Sequence, residues 1–168
     1  MADSGQQLAS LITELEQHEL ELCFDRFTNE DAWRLGVSLV ELGRSRELPI
    51  TIDIRRSGQQ LFHAALSGTT PENDSWIERK VRVVERFSAS SYLVGRRLAA
   101  KGDALDQAYG VDPALFAAHG GSFPVRVRNV GVVGSVTVSG LAQADDHALV
   151  VEALRAFLAV GSNRQAAT

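Results

Sequence analysis

The stretch "SFPVRVRNVGVVGSVTVSGLAQADDHALVVEAL", residues 122–154, decides the fold. Val125 and Val127 alternate with Arg126 and Arg128, the period of a half-buried strand. In the return run Val132, Gly134, Val136 and Val138 fall on one face. Gly131, Val133, Ser135, Thr137 and Ser139 fall on the other. The two runs predict a β-hairpin. Ser139-Gly140 ends it, because glycine accepts turn conformations that other residues avoid. The period then lengthens: His147, Val150, Val151, Leu154 and Leu158 share one helical face. That predicts a helix from about Asp145 to Val160, with Asp145 or Asp146 accepting its free N–H groups and His147 heading the buried stripe.

Working outward, "ITIDI" at 50–54 and "LFHAAL" at 61–66 flank the turn "RSGQQ" at 56–60, a second hairpin. A first helix is expected over Gln6–Glu19, a short strand over Leu20–Phe24, and a helix over Asn29–Arg46 with Asn29 as its cap. Thr70 as cap and Pro71 at the first helical position open one long helix, which Gly102 ends. Its small residues Ser88, Ser91 and Gly95 permit close approach of another backbone. Residues 102–120 read as irregular, with a short helix after Asp112. Five strands and flanking helices define an α+β domain around an antiparallel sheet.

At 168 residues with 45% hydrophobic content, the chain can bury one core, expected over 1–160 with a disordered polar tail at 161–168. A net charge of −4 argues against non-specific nucleic-acid binding, which needs excess Lys and Arg. The single cysteine, Cys23, excludes an internal disulfide or a multi-cysteine metal site. No signal-like start and no apolar run of ~20 residues is present, so no membrane contact and a cytoplasmic location are expected.

"HGGSFPVRVRNVGVVGSVTVSGLAQADDHALVVEAL" at 119–154, with "TPENDSWIERKVRVVERF" at 70–87, resembles the GlcG/HbpS-like haem-degrading-domain family, closest to its cytosolic branch. The landmarks are Gly120-Gly121 with Pro124, the strand ending in Val138-Ser139-Gly140, and the helix start at Asp146. The resemblance covers about residues 20–160. It implies a profilin-like five-stranded antiparallel sheet in α/β/α layers, homo-oligomers that are often rings, and haem binding or breakdown. Breakdown is not general to that branch.

The expected ligand is a small anion or a haem-like molecule. Its pocket is expected at the end of the last strand, the start of the last helix and the long helix: Trp76, Arg79, Lys80, Ser139, Asp146 and His147. Haem needs an axial ligand beside an apolar slot, and His63, His119 and His147 are the candidates. Each histidine also has a plain structural reading: His63 buried in its strand, His119 exposed in a loop, His147 packed in the core, and His18 solvated on a charged helix end. Arg79 and Lys80 read equally as a solvated basic face, and Arg126 and Arg128 as charges guarding a sheet edge. No metal-ligand spacing, phosphate loop or nucleophile elbow is present. Catalysis is therefore not expected. A haem-degrading enzyme and a ligand-free interaction scaffold are the alternatives.

Overall fold

The computed structural model describes the backbone of residues 2–165 and the side chains of 5–160. Among these, five strands form one sheet in the order β1-β4-β5-β2-β3. They are β1 (Cys23–Phe24), β2 (Thr51–Arg56), β3 (Gln59–Ala65), β4 (Ser122–Val127) and β5 (Gly131–Ser139). Every pairing is antiparallel except β1 with β4, which is parallel. The helices are α1 (Ala2–Glu21), α2 (Asn29–Ser45), α3 (Pro71–Phe87), α4 (Ser91–Lys101), α5 (Leu105–Tyr109) and α6 (Gln143–Gln165). The tail expected at 161–168 falls outside the described side chains.

Both hairpins form where the alternation places them. Ser57 and Gly58, both at positive φ, make the two-residue turn between β2 and β3. The alternation also sorts the faces of the sheet. Ile52, Ile54, Val136 and Val138 pack with Leu35 and Leu39 of α2 and Val150 and Leu154 of α6. Thr51, Asp53, Ser135, Thr137 and Ser139 are buried on the opposite face. There Arg55 of β2 reaches Glu78 of α3, so α3 covers this polar face.

Several expectations are corrected. The long helix over 70–102 is two helices. Ser88 turns left-handed at φ 52, and Ser90 starts α4 by accepting the N–H of Leu93 at 3.3 Å. The carbonyl freed at Ser88 takes the guanidinium of Arg126 at 2.7 Å. A local side-chain cap thus competes successfully with helix continuation. The close approach foreseen at Gly95 comes from this same chain: a Cβ there would collide with the carbonyl oxygen of Ala118. The strand expected over Leu20–Phe24 shrinks to two residues, because α1 continues to Glu21 and the Leu22 N–H still bonds His18 at 3.0 Å. Thr28, not Asn29, caps α2, exchanging bonds with Asp31 in a capping box. The short helix lies before Asp112, as α5; after it Asp112 only closes a turn onto the Ala114 N–H at 2.8 Å. Arg126 and Arg128 guard no edge, since β4 lies between β1 and β5; Arg128 pairs with Asp25 at 2.8 Å.

Candidate functional site

Gly120-Gly121 enters β4 in the gap between the end of β5 and the start of α6. A Cβ at Gly120 would strike the carbonyl oxygen of Gln143, and one at Gly121, where φ is 125°, that of Val138. Only glycine lets the three segments meet this closely. Beneath them, Lys80 of α3 donates from Nζ to the Asp146 carboxylate at 2.8 Å and to the Val138 carbonyl at 3.1 Å. Both side chains are buried, which corrects the solvated reading of Lys80. Burial pushes the Lys80 ammonium down and the Asp146 carboxyl up, and each opposes the other's shift. Asp146 also accepts the Leu141 N–H at 3.0 Å, ahead of a helix that already begins at Gln143. Ser139 is buried, and its carbonyl accepts from Asn73 at 3.2 Å.

Trp76 and Arg79 lie on the outer side of α3. The Arg79 guanidinium sits 4.4 Å from the Trp76 ring centre, and the His119 ring meets Trp76 edge-on at 5.3 Å. Arg79 donates to the Pro113 carbonyl at 2.9 Å, fixing the 111–119 segment against α3. Across the gap, Arg96 of α4 lies over Tyr92. Between them is a cavity of about 340 Å³. Leu98, Leu105, Val111 and Phe116 supply its apolar wall, Arg79, Arg96 and His119 its basic rim, and Asp103 and Asp106 stand at the α5 end. The Nε atoms of Arg79 and Arg96 are both buried without a hydrogen-bond partner. Such donors are costly unless something accepts from them. Partial burial, followed by the charges of Lys80, Arg79 and Arg96, holds the His119 imidazole below its ordinary value. His119 is therefore neutral at pH 7, with a ring nitrogen free to accept or to ligate.

The three candidate haem ligands are not together. His63 is exposed on β3, contrary to the buried reading, and its Nε2 lies 2.7 Å from Asp74. His147 is buried among Tyr92, Phe123 and His18, away from the cavity. His18, expected in solvent, is only 6% exposed, and its Nδ1 is 3.4 Å from His147 Nε2. Burial, then the neighbouring His18, pushes His147 down to about 3. Only His119 borders the cavity. Arg96 carries no local sequence signal of a binding role, because a basic residue toward the end of a helix also complements its dipole. Among the described residues no group of three His, Cys, Asp or Glu could hold a metal, and no helix is long and apolar enough to cross a membrane.

A larger cleft of about 650 Å³ lies at the other end of the domain, between β1, α2 and α6. Three of its four arginines are paired, Arg34 with Asp31, Arg128 with Asp25 and Arg155 with Glu21, and the fourth, Arg26, is exposed rather than buried. The smaller cavity, with its unpaired guanidinium donors, is the better anion site.

The fold is that of the Ybr137w protein, whose crystal structure superposes with a TM-score of 0.78 at 34% identity, covering 87% of this chain and 86% of that one. Residues 27–155 match the family described as "Haem degrading protein HbpS-like", and the chain belongs to it. A UPF0303 protein of Streptomyces coelicolor is 61% identical over 150 residues, 89% of this chain and 95% of that protein. A PduOC:heme complex shares the fold with a TM-score of 0.66 at 15% identity, covering 77% of this chain and 94% of that one.

Proposed function

We propose that this chain is a cytoplasmic, homo-oligomeric binding protein for a small anionic, haem-like ligand, held in the cavity between α3, α4 and residues 111–119. The observation that carries the reading is the pair of buried, unpartnered Nε atoms on Arg79 and Arg96 beside a neutral His119. Carboxylates or phosphates suit the two guanidinium groups, and an apolar body suits the Leu98–Phe116 wall. Haem joins both properties, with propionates for the arginines and iron for His119. The bound heme of the PduOC complex, on the same fold, supports that class of ligand. Haem, when bound, supplies an iron centre for electron transfer or oxygen chemistry. Arg79 touches the ligand, Trp76 packs against Arg79 and His119 from outside the cavity, and Lys80, Asp146 and Ser139 fix the wall behind them. His147 is a core residue in this reading.

Titration with haem tests it, followed through the Soret band and then by addition of ascorbate. The expected result is a saturable Soret shift, lost in His119→Ala and weakened about tenfold in Arg96→Gln, the loss of one charge-assisted hydrogen bond. A stable Soret band after ascorbate supports a carrier, and decay supports the haem-degrading alternative. No Soret shift, with no quenching of Trp76 by small carboxylates or phosphates, overturns the reading in favour of a scaffold.

A further inference from the structure

We propose that β3 is the surface by which one copy of this chain pairs with a second, edge to edge and antiparallel, extending the sheet. The proposal rests on the homo-oligomer reading above and names its surface. β3 ends the strand order, so one rim of Gln59–Ala65 has no strand neighbour. Exposed edges are normally blunted by shortness, charge, proline or a β-bulge, and of these β3 carries only a bulge. The opposite edge obeys this rule: β1 is only two residues long. The sequence of β3, "QQLFHAA", holds no Lys, Arg, Asp, Glu or Pro, and His63 is tied to Asp74. An irregularity at Leu61 still leaves Phe62–Ala65 in regular register with β2.

A second observation lies on the same flank. Trp33 of α2 is 57% exposed and meets Phe62 edge-on at 5.8 Å. Val37 and Val40, one and two turns further along, are only half-buried. The other flank of α2, at Arg34 and Ser38, faces α6 across the larger cleft, so this apolar strip lies on the side of β3. Unpaired backbone groups and uncovered aromatic surface therefore run side by side. A second copy fits because a two-fold axis sets this uncharged strand against itself without like-charge repulsion, and sets each strip beside the other copy's edge.

Light scattering on the full chain at micromolar concentration tests the pairing, together with hydrogen exchange of the β3 amides. The parent protein should exceed 18.2 kDa. Gln59→Lys/Ala65→Lys, at two exposed positions, should lower its mass by about half with unchanged circular dichroism. Outward β3 amides should be protected in the parent and exchange at least about tenfold faster in the variant. If the parent keeps a multiple mass while its β3 amides exchange freely, the edge pairing is overturned and the oligomer reading survives; the edge is then left to an extended peptide of another protein. A parent mass of 18.2 kDa overturns both.

Discussion

On one face of the sheet, Ile52, Ile54, Val136 and Val138 meet α2 and α6 through apolar atoms alone. On the other, Thr51, Asp53, Ser135 and Thr137 are buried just as deeply against α3. The first face is a solvent-transfer engine, each aliphatic side chain gaining about 1.5–3 kcal/mol from leaving water. The second must satisfy every polar atom to break even. It largely does so: Ser122 bonds Thr137 at 2.8 Å, Arg55 and Gln60 hold Asp53, and Lys80 holds Asp146. The hydroxyls of Thr51 and Ser135 are left without partners. The candidate site adjoins the polar face because α3, which covers it, carries Lys80 inward and Arg79 outward.

If that contrast is right, the largest effect comes from splitting the buried charge pair. Lys80→Met should cost about 3–5 kcal/mol, because it strands the Asp146 carboxylate. Adding Asp146→Leu should recover most of the loss in urea melts. Simple additivity of the two substitutions would show that the pair is not coupled. On the apolar face, Ile54→Ala should cost about 2–5 kcal/mol through the cavity it leaves, with no change in ligand binding.

A smaller effect, at the α1–α6 contact, comes from acid. His147 titrates at about 3 in the fold and at about 6.5 when unfolded. Below pH 6.5 the unfolded chain takes up a proton that the native chain refuses. Stability from this group is therefore complete above pH 6.5 and is lost as pH falls toward 3, by at most about 1.4 kcal/mol per pH unit. Melting temperatures of His147→Gln should fall less steeply than those of the parent between pH 6 and 4; parallel slopes would disprove the buried neutral pair. The smallest effect belongs to Ser135→Ala. Its hydroxyl has no partner to lose, so stability should stay within about 0.5 kcal/mol or rise slightly.

The hairpins, α2 and α6 were legible because their periods are local: alternation in β5 and the His147–Leu158 stripe name their own buried faces. The burial of His147 followed from that stripe. His18 was not legible, since the group that makes its burial tolerable lies 129 residues away. The break at Ser88 was hidden for a similar reason. Its freed carbonyl is satisfied by Arg126, from a strand that a helical reading of 70–102 does not contain. For the candidate site, Trp76 and Arg79 could be named together because they share one helix, but the cavity exists only where α4 and residues 111–119 converge on Arg79. Arg96 had no local signal of that role.

The Lys80–Asp146 contact also sets an order of assembly. The two charges are 66 residues apart in the chain, and neither is tolerable in the interior alone. During synthesis α3 emerges long before α6, yet it cannot seat its lysine until residue 146 has left the ribosome. A chain cut before Ala142 should therefore keep α3 open to protease, whereas one that includes the first turns of α6 should close in a single cooperative step.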